Sequence, residues 1–117
     1  MLLCHAWTPP PRDTVKCNSY GSYQEAERRI GGCGVIRDHL GLWVTGCYSG
    51  EPEGNAFKAE ATTLKEVLEL AWNRGLRSVI CDVDCADLVA TLADAVAVQL
   101  HSKFLILNSI SQLLAKN

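Results

Sequence analysis

The chain has 117 residues, 48% of them hydrophobic and 21% charged, and a formal net charge of -2 at pH 7. This length is typical of one domain, and a high apolar fraction with a small net charge excludes intrinsic disorder. No apolar run approaches the roughly 20 residues that a membrane-spanning helix requires, and the apolar start lacks the basic segment of a secretory signal. The slightly acidic total also argues against strong non-specific affinity for nucleic acid.

The first residues, 1–14, are predicted to form an extended proline-rich arm. Three successive prolines starting at Pro9 fix φ and remove amide donors, which disfavours a helix or a central strand. The remaining residues, 15–117, show no repeat and no low-complexity segment, and they are predicted to form a single domain.

Three strands are predicted after the arm, and their close spacing favours an antiparallel meander. The first strand is expected to stop at Gly21, and Trp43 in the third is expected to be buried or half-buried. The predicted strands are Val15–Asn18, Gly32–Asp38 and Leu42–Tyr48.

The second half of the chain has helical periodicity. Apolar residues recur at three- and four-residue steps over Ala56–Arg74, and Asn55 precedes them as an N-cap. A short buried strand within Arg77–Asp82 follows, and a helix that crosses between two strands implies that they are parallel. Helices are predicted over Asp84–Ala95 and Ser102–Ala115. The fold class is therefore α/β with a mixed sheet.

The six cysteines occur without a C-x-x-C pair, and the three histidines lie outside zinc-ligand spacing. Four cysteines fall in strand-like stretches, where thiols behave as small core residues. Free thiols are typical of a reducing compartment, so the sequence predicts an intracellular protein, with no distinction between nucleus and cytoplasm. The four are Cys17, Cys33, Cys47 and Cys81.

Five motifs, in this order, resemble plant ribonuclease H-like domains of proteins related to the reverse transcriptases of non-LTR retroelements. The motifs run from Trp7 nearly to the last residue, and the resemblance implies a ribonuclease H-like mixed sheet. They are Trp7–Pro11, Val15–Ser22, Gly32–Asp38 with Gly41–Trp43, Ala59–Ala61 with Leu64, and Val79–Cys85.

The resemblance implies an endonuclease that cuts the RNA strand of an RNA–DNA hybrid, with four carboxylates holding two Mg²⁺ ions. Such ions prefer charged oxygen ligands, and two of them can activate a water and stabilise the leaving oxygen. By motif, Glu60 and Asp84 match two of the four carboxylates. Tyr20 stands at the first position, where a phenol, neutral near pH 7, replaces a carboxylate. The fourth lies beyond Asn117, in a final strand and helix that the resemblance predicts to be missing.

The same resemblance makes Asn55 and Ser22 candidate substrate-binding residues. Structural roles stay open for several of these positions: Asp84 as a helix N-cap, Glu60 as a solvated helix residue, and Tyr20 as a packing residue rather than one that stacks on a base.

Three hypotheses follow about function. The first is a nucleic-acid-binding, catalytically degenerate ribonuclease H-like domain, whose partner is an RNA–DNA hybrid or another nucleic acid. The second is an interaction module or retroelement remnant without a nucleic-acid role, which self-associates through the sheet edge that the missing strand would leave open. The third is an active hydrolase in which a partner chain supplies the absent carboxylate.

Overall fold

A computed structural model describes residues 2–3, 8–24, 26, 29–51, 53–83 and 85–116. Five strands and four helices lie within these residues. In chain order they are β1 (Leu2–Leu3), β2 (Val15–Gln24), β3 (Arg29–Arg37), β4 (Trp43–Glu51), α1 (Ala56–Asn73), β5 (Val79–Val83), α2 (Ala86–Leu92), α3 (Ala95–Leu100) and α4 (Phe104–Ala115). No helix of this described part is long and apolar enough to cross a membrane.

The strands form one mixed sheet in the order β1-β5-β2-β3-β4. The meander β2-β3-β4 is antiparallel, and α1 crosses over so that β5 pairs with β2 in parallel. The prediction of an α/β fold with three antiparallel strands, a crossover helix and a parallel strand is confirmed.

The first long strand extends beyond its predicted end. Pairing between β2 and β3 continues through Gly21↔Gly32 to Gln24↔Arg29. Gly21 is therefore not a turn residue. It lies under α1, where the absence of a side chain lets the helix approach the sheet, and this contact could not be foreseen from the local pattern.

The outer side of β5 differs from the prediction of an open edge. Leu2 and Leu3 form a two-residue strand that pairs with Cys81 and Asp82 of β5 in parallel. The prediction of an extended arm over residues 1–14 therefore does not include the strand that Leu2 and Leu3 form. Two residues are too few to give a periodic pattern, so the sequence carried no sign of this strand.

The predicted helix over Asp84–Ala95 consists of two shorter helices. The break falls at Asp94, whose side chain accepts hydrogen bonds from Val96 N at 3.0 Å and Ala97 N at 3.3 Å and so caps α3. Helix α4 is confirmed, beginning at Phe104 rather than Ser102.

The sheet has two different faces. One is covered by α1, which packs on β2 and β3 and is itself packed by α4; we call it the helix-covered face. The other we call the open face; it carries Lys16, Asn18 and Tyr20 of β2 with Cys33 of β3 and Tyr48 of β4, because alternate residues of a strand point to opposite sides. Fully buried residues of the core include Cys17, Ile36, Leu64, Val67, Val83, Leu107 and Ile110.

Candidate functional site

Helix α1 brings Glu60 against the middle of β2. An added Cβ at Gly21 would lie 2.8 Å from Glu60 Cδ and 2.7 Å from Glu60 N, so the glutamate lies directly over this glycine. Further along α1, Thr63 and Val67 lie just as closely over Gly32 and Gly34 of β3. Glycines in β2 and β3 thus let α1 lie close to the sheet. This close approach places the Glu60 carboxyl group beside the β2 backbone.

Tyr20 precedes Gly21 and points to the opposite face. It pairs with Cys33 of β3, and 46% of its surface is exposed. The structure thus brings Glu60 of α1 beside Gly21, the residue that follows Tyr20 in β2.

Asp84 lies outside the described residues. The last described residue of β5 is Val83, which pairs with Ser19 of β2. The described end of β5 therefore lies beside the residue that precedes Tyr20, and the role of Asp84 stays a prediction.

The two predicted substrate-binding residues belong to different surfaces. Asn55 is the N-cap of α1, and its Oδ1 accepts a hydrogen bond from Lys58 N at 2.8 Å. Ser22 is exposed in β2 opposite Gly31, on the open face. The capping role of Asn55 is confirmed, while substrate contact by either residue stays a prediction.

Lys16 and Asp82 form a buried ion pair on the open face. The sequence predicts a surface position for Asp82, so this pair differs from the prediction. The side chains of Lys16 and Asp82 are 2% and 3% exposed, with Nζ 3.9 Å from Oδ2. Lys16 Nζ also donates to the Thr8 carbonyl and, at 3.0 Å, to Thr8 Oγ1, which ties the N-terminal arm to the sheet. The available signal was the alternation Lys16, Asn18, Tyr20, which places polar groups on one face of β2.

The described donors do not fit a pair of magnesium ions. Within the described residues no group of three or more His, Cys, Asp or Glu side chains could hold a metal ion. Asp82 pairs with Lys16 on the open face, whereas Glu60 lies on the helix-covered face. Two divalent ions require several converging carboxylates, which this arrangement does not supply.

The described cysteines are free thiols and do not all lie in the core. Cys17 and Cys81 are buried neighbours in β2 and β5, and a hydrogen bond with Cys81 together with burial raises the pKa of the Cys17 thiol. Burial also raises the pKa of Cys47. Cys33 is exposed, contrary to the prediction of a core residue, and so is Trp43 at 64%.

A family model described as reverse transcriptase-like matches residues 18–117. The chain belongs to the reverse transcriptase-like family. The matched residues include Tyr20 in β2 and the whole of α1 with Glu60. No curated protein sequence matches the chain.

Solved structures show the same fold at low sequence identity. The N-terminal RNase H domain of Rv2228c from Mycobacterium tuberculosis is 13% identical with a TM-score of 0.76, over 88% of this chain and 75% of that one. RNase H1 from Halobacterium salinarum is 16% identical with a TM-score of 0.73, over 88% and 78%. LC11-RNase H1, isolated from compost and solved with an RNA/DNA hybrid, is 15% identical with a TM-score of 0.73, over 89% and 78%. The predicted ribonuclease H-like fold is confirmed.

Proposed function

We propose that the chain is a nucleic-acid-binding ribonuclease H-like domain whose hydrolytic site is degenerate. Membership of the reverse transcriptase-like family and the ribonuclease H fold support a nucleic-acid ligand. LC11-RNase H1, which shares this fold, was solved with an RNA/DNA hybrid, and we infer the same class of ligand here. The plant and retroelement context suggested by the motifs belongs to this proposal as well.

The observation that carries the proposal is the contrast between Glu60 and Tyr20. The carboxyl group of Glu60 is held against β2 at Gly21, the position that the family motif leads one to expect. The preceding residue offers a phenol in place of a carboxylate, so it adds no negative charge beside the glutamate.

The nearest other described acid along these strands does not replace the lost carboxylate. Asp82 sits on the open face and is neutralised by Lys16 at 3.9 Å. Glu60 and Asp84, the two positions that keep a carboxylate by motif, carry too little negative charge to concentrate two divalent cations beside an anionic phosphodiester. We therefore expect binding of nucleic acid that does not require Mg²⁺, and no turnover.

The direct test compares binding with cleavage of one fluorescently labelled RNA/DNA hybrid. Anisotropy in EDTA is expected to show salt-sensitive binding, because phosphate contacts release counterions. Incubation with Mg²⁺ is expected to leave the RNA strand intact. Cleavage by the wild type that is abolished in Glu60→Gln would overturn the proposed degeneracy, and a lack of affinity for the hybrid would overturn the proposed ligand.

A substitution at position 20 can test whether the missing carboxylate accounts for the expected lack of Mg²⁺ binding. We expect Tyr20→Asp to tighten Mg²⁺ binding, measured by calorimetry, relative to the wild type. Tyr20→Phe is the matched control, because it keeps the ring and adds no charge. Equal Mg²⁺ binding by the two variants would show that position 20 is not part of a metal site.

A further inference from the structure

Part of the open face is buried, although no described helix covers it. Lys16 and Asn18 of β2 and Asp82 of β5 are each at most 5% exposed. Asn18 and Asp82 are partners in the parallel pairing of the two strands, and Lys16 precedes Asn18 by two residues, so all three side chains share a face. We call them the polar cluster. The four helices pack into the core on the other face, so a different part of the chain buries this cluster.

The described segment that contacts the polar cluster is the end of the N-terminal arm, residues 8–14, which we call the strap. Lys16 Nζ donates a hydrogen bond to the Thr8 carbonyl and another, at 3.0 Å, to Thr8 Oγ1. Pro10 is buried as well, whereas the three residues that follow it are exposed. The strap therefore contacts the cluster at its lysine and then turns out toward solvent.

The strap is attached to the sheet by few hydrogen bonds. Residues 9–11 are prolines, which have no N–H group and so cannot extend the sheet by a ladder of backbone bonds. Among the described residues, the bonds from Lys16 to Thr8 are the hydrogen bonds that join the strap to the sheet before Thr14. Thr14 Oγ1 then lies 2.9 Å from Ser78 Oγ, beside the start of β5. The attachment of the strap over the cluster thus depends on one lysine.

The docked strap leaves one acceptor of the polar cluster unsatisfied. Asn18 Oδ1 is buried and has no hydrogen-bond partner among the described residues. A buried acceptor without a partner loses the bonds that it would make to water, which destabilises the state that buries it. Release of the strap returns water to this atom. The docked state therefore carries an unfavourable contribution that a released state lacks.

We propose that the strap is a detachable cover, which exchanges between a docked and a released state while the sheet and helices stay folded. The bonds from Lys16 to Thr8 favour the docked state, and the unsatisfied oxygen of Asn18 favours the released state. Contributions of similar size and opposite sign keep both states accessible. Release uncovers the polar cluster and so controls access to the part of the open face formed by β2 and β5. This inference goes beyond the proposed function, because it requires no nucleic acid.

Limited trypsin digestion of the full chain tests this exchange, with mass spectrometry to assign each cut. Cleavage after Arg12 reports release of the strap, because a protease needs a flexible stretch of chain on both sides of the bond. Cleavage after Lys65, in the middle of α1, requires the domain to unfold. Each rate follows the population of the open form when opening and closing are fast. In the wild type we expect cleavage after Arg12 to be at least about tenfold faster than cleavage after Lys65.

A substitution at Asn18 is expected to hold the strap in place. Asn18→Val removes the unsatisfied acceptor and keeps a side chain suited to a strand, so cleavage after Arg12 is expected to slow at least about fivefold. Ser22→Val is the matched control, because it places the same side chain at an exposed position of the same strand. This control is expected to leave the rate of cleavage after Arg12 unchanged.

Loss of the lysine is expected to act in the opposite direction. Lys16→Met with Asp82→Leu removes the donor to Thr8 without leaving a buried charge, and it is expected to speed cleavage after Arg12 at least about fivefold.

A core substitution separates release of the strap from unfolding of the domain. Leu64→Ala weakens the core on the helix-covered face, so it is expected to speed cleavage after Lys65 and to leave cleavage after Arg12 unchanged. A parallel rise at both bonds, or equal rates at both bonds in the wild type, would show that the strap opens only with the whole domain and would overturn the proposal. Equal rates of cleavage after Arg12 in Asn18→Val and the wild type would overturn the balance on which the released state depends.

Discussion

The two faces of the sheet are built on different principles. On the helix-covered face, apolar side chains such as Leu64 and Val67 are fully buried, and glycines in the strands admit α1 at close range. On the open face, a buried lysine is held by Thr8 and Asp82 near one side of the sheet, and aromatic rings are exposed near the other.

This difference separates stability from recognition. The helix-covered face removes apolar surface from water, which is the dominant favourable term in folding. The exposed rings of the open face gain no such stabilisation in the isolated chain, and large exposed apolar groups that cluster commonly mark binding sites. We therefore expect substitutions on the two faces to change different measurable properties.

The largest effect is expected at the buried ion pair. Lys16→Ala leaves Asp82 buried without its cation, and removal of one partner of such a pair costs about 3–5 kcal/mol. Urea unfolding measures the loss. The double variant Lys16→Met with Asp82→Leu is expected to recover most of it, because no buried charge remains. A small effect of Lys16→Ala alone would show that the pair is solvated.

A comparable loss is expected from the core beneath α1. Leu64 is fully buried, so Leu64→Ala leaves a cavity and lowers the free energy of unfolding by about 2–5 kcal/mol. Leu42→Ala is the matched control at a position that is 60% exposed, and thermal unfolding is expected to change little. Equal destabilisation by the two variants would contradict the assignment of the core to the helix-covered face.

The close approach of α1 to the sheet predicts a smaller loss of stability, which a second substitution partly restores. An added Cβ at Gly34 would lie 2.6 Å from Val67 Cβ, so Gly34→Ala is expected to cost about 1–3 kcal/mol by overpacking. Adding Val67→Ala removes Cγ2, which would lie 2.7 Å from the added Cβ, and should restore part of the stability, as a double-mutant cycle would measure. Strict additivity of the two substitutions would mean that the helix shifts instead.

The smallest effect concerns pH. The pKa of Cys17 is raised by its hydrogen bond with Cys81 and by burial, so the folded state retains a proton that the unfolded thiol releases above about pH 8.5. The associated stability is complete below that pH and is lost as the pH rises further, by about 1.4 kcal/mol per pH unit. Cys17→Ala is expected to flatten this decline, as measured by urea unfolding at successive pH values. Parallel curves for both proteins would contradict it.

Much of the architecture could be predicted from the sequence. Helical periodicity between two strand-like stretches defined α1 and the parallel pairing of β5, and the motif around Glu60 located it on that helix. Both depend on local patterns that span many residues. The N-cap at Asn55 was equally visible, because capping depends on one side chain and a backbone group three residues away.

Other features depend on contacts between distant parts of the chain and left no local pattern. The extension of β2 through Gly21 depends on α1 lying above it, and the burial of Asp82 depends on Lys16, 66 residues earlier. Trp43 and Cys33 are exposed because no described element covers their part of the open face. Apolar or small residues in strands indicate a core only when both faces are covered.

The parallel pairing of Leu2–Leu3 with β5 also affects the order in which the protein forms. Leu2 and its partner Cys81 are 79 residues apart, so a ribosome that adds about 5–20 residues per second makes the acceptor strand several seconds after the donor. The meander can pair during this interval, because its three strands are contiguous. Both ladders of β5, with β1 and with β2, have to wait until β5 is made, so this side of the sheet closes last on a nascent chain.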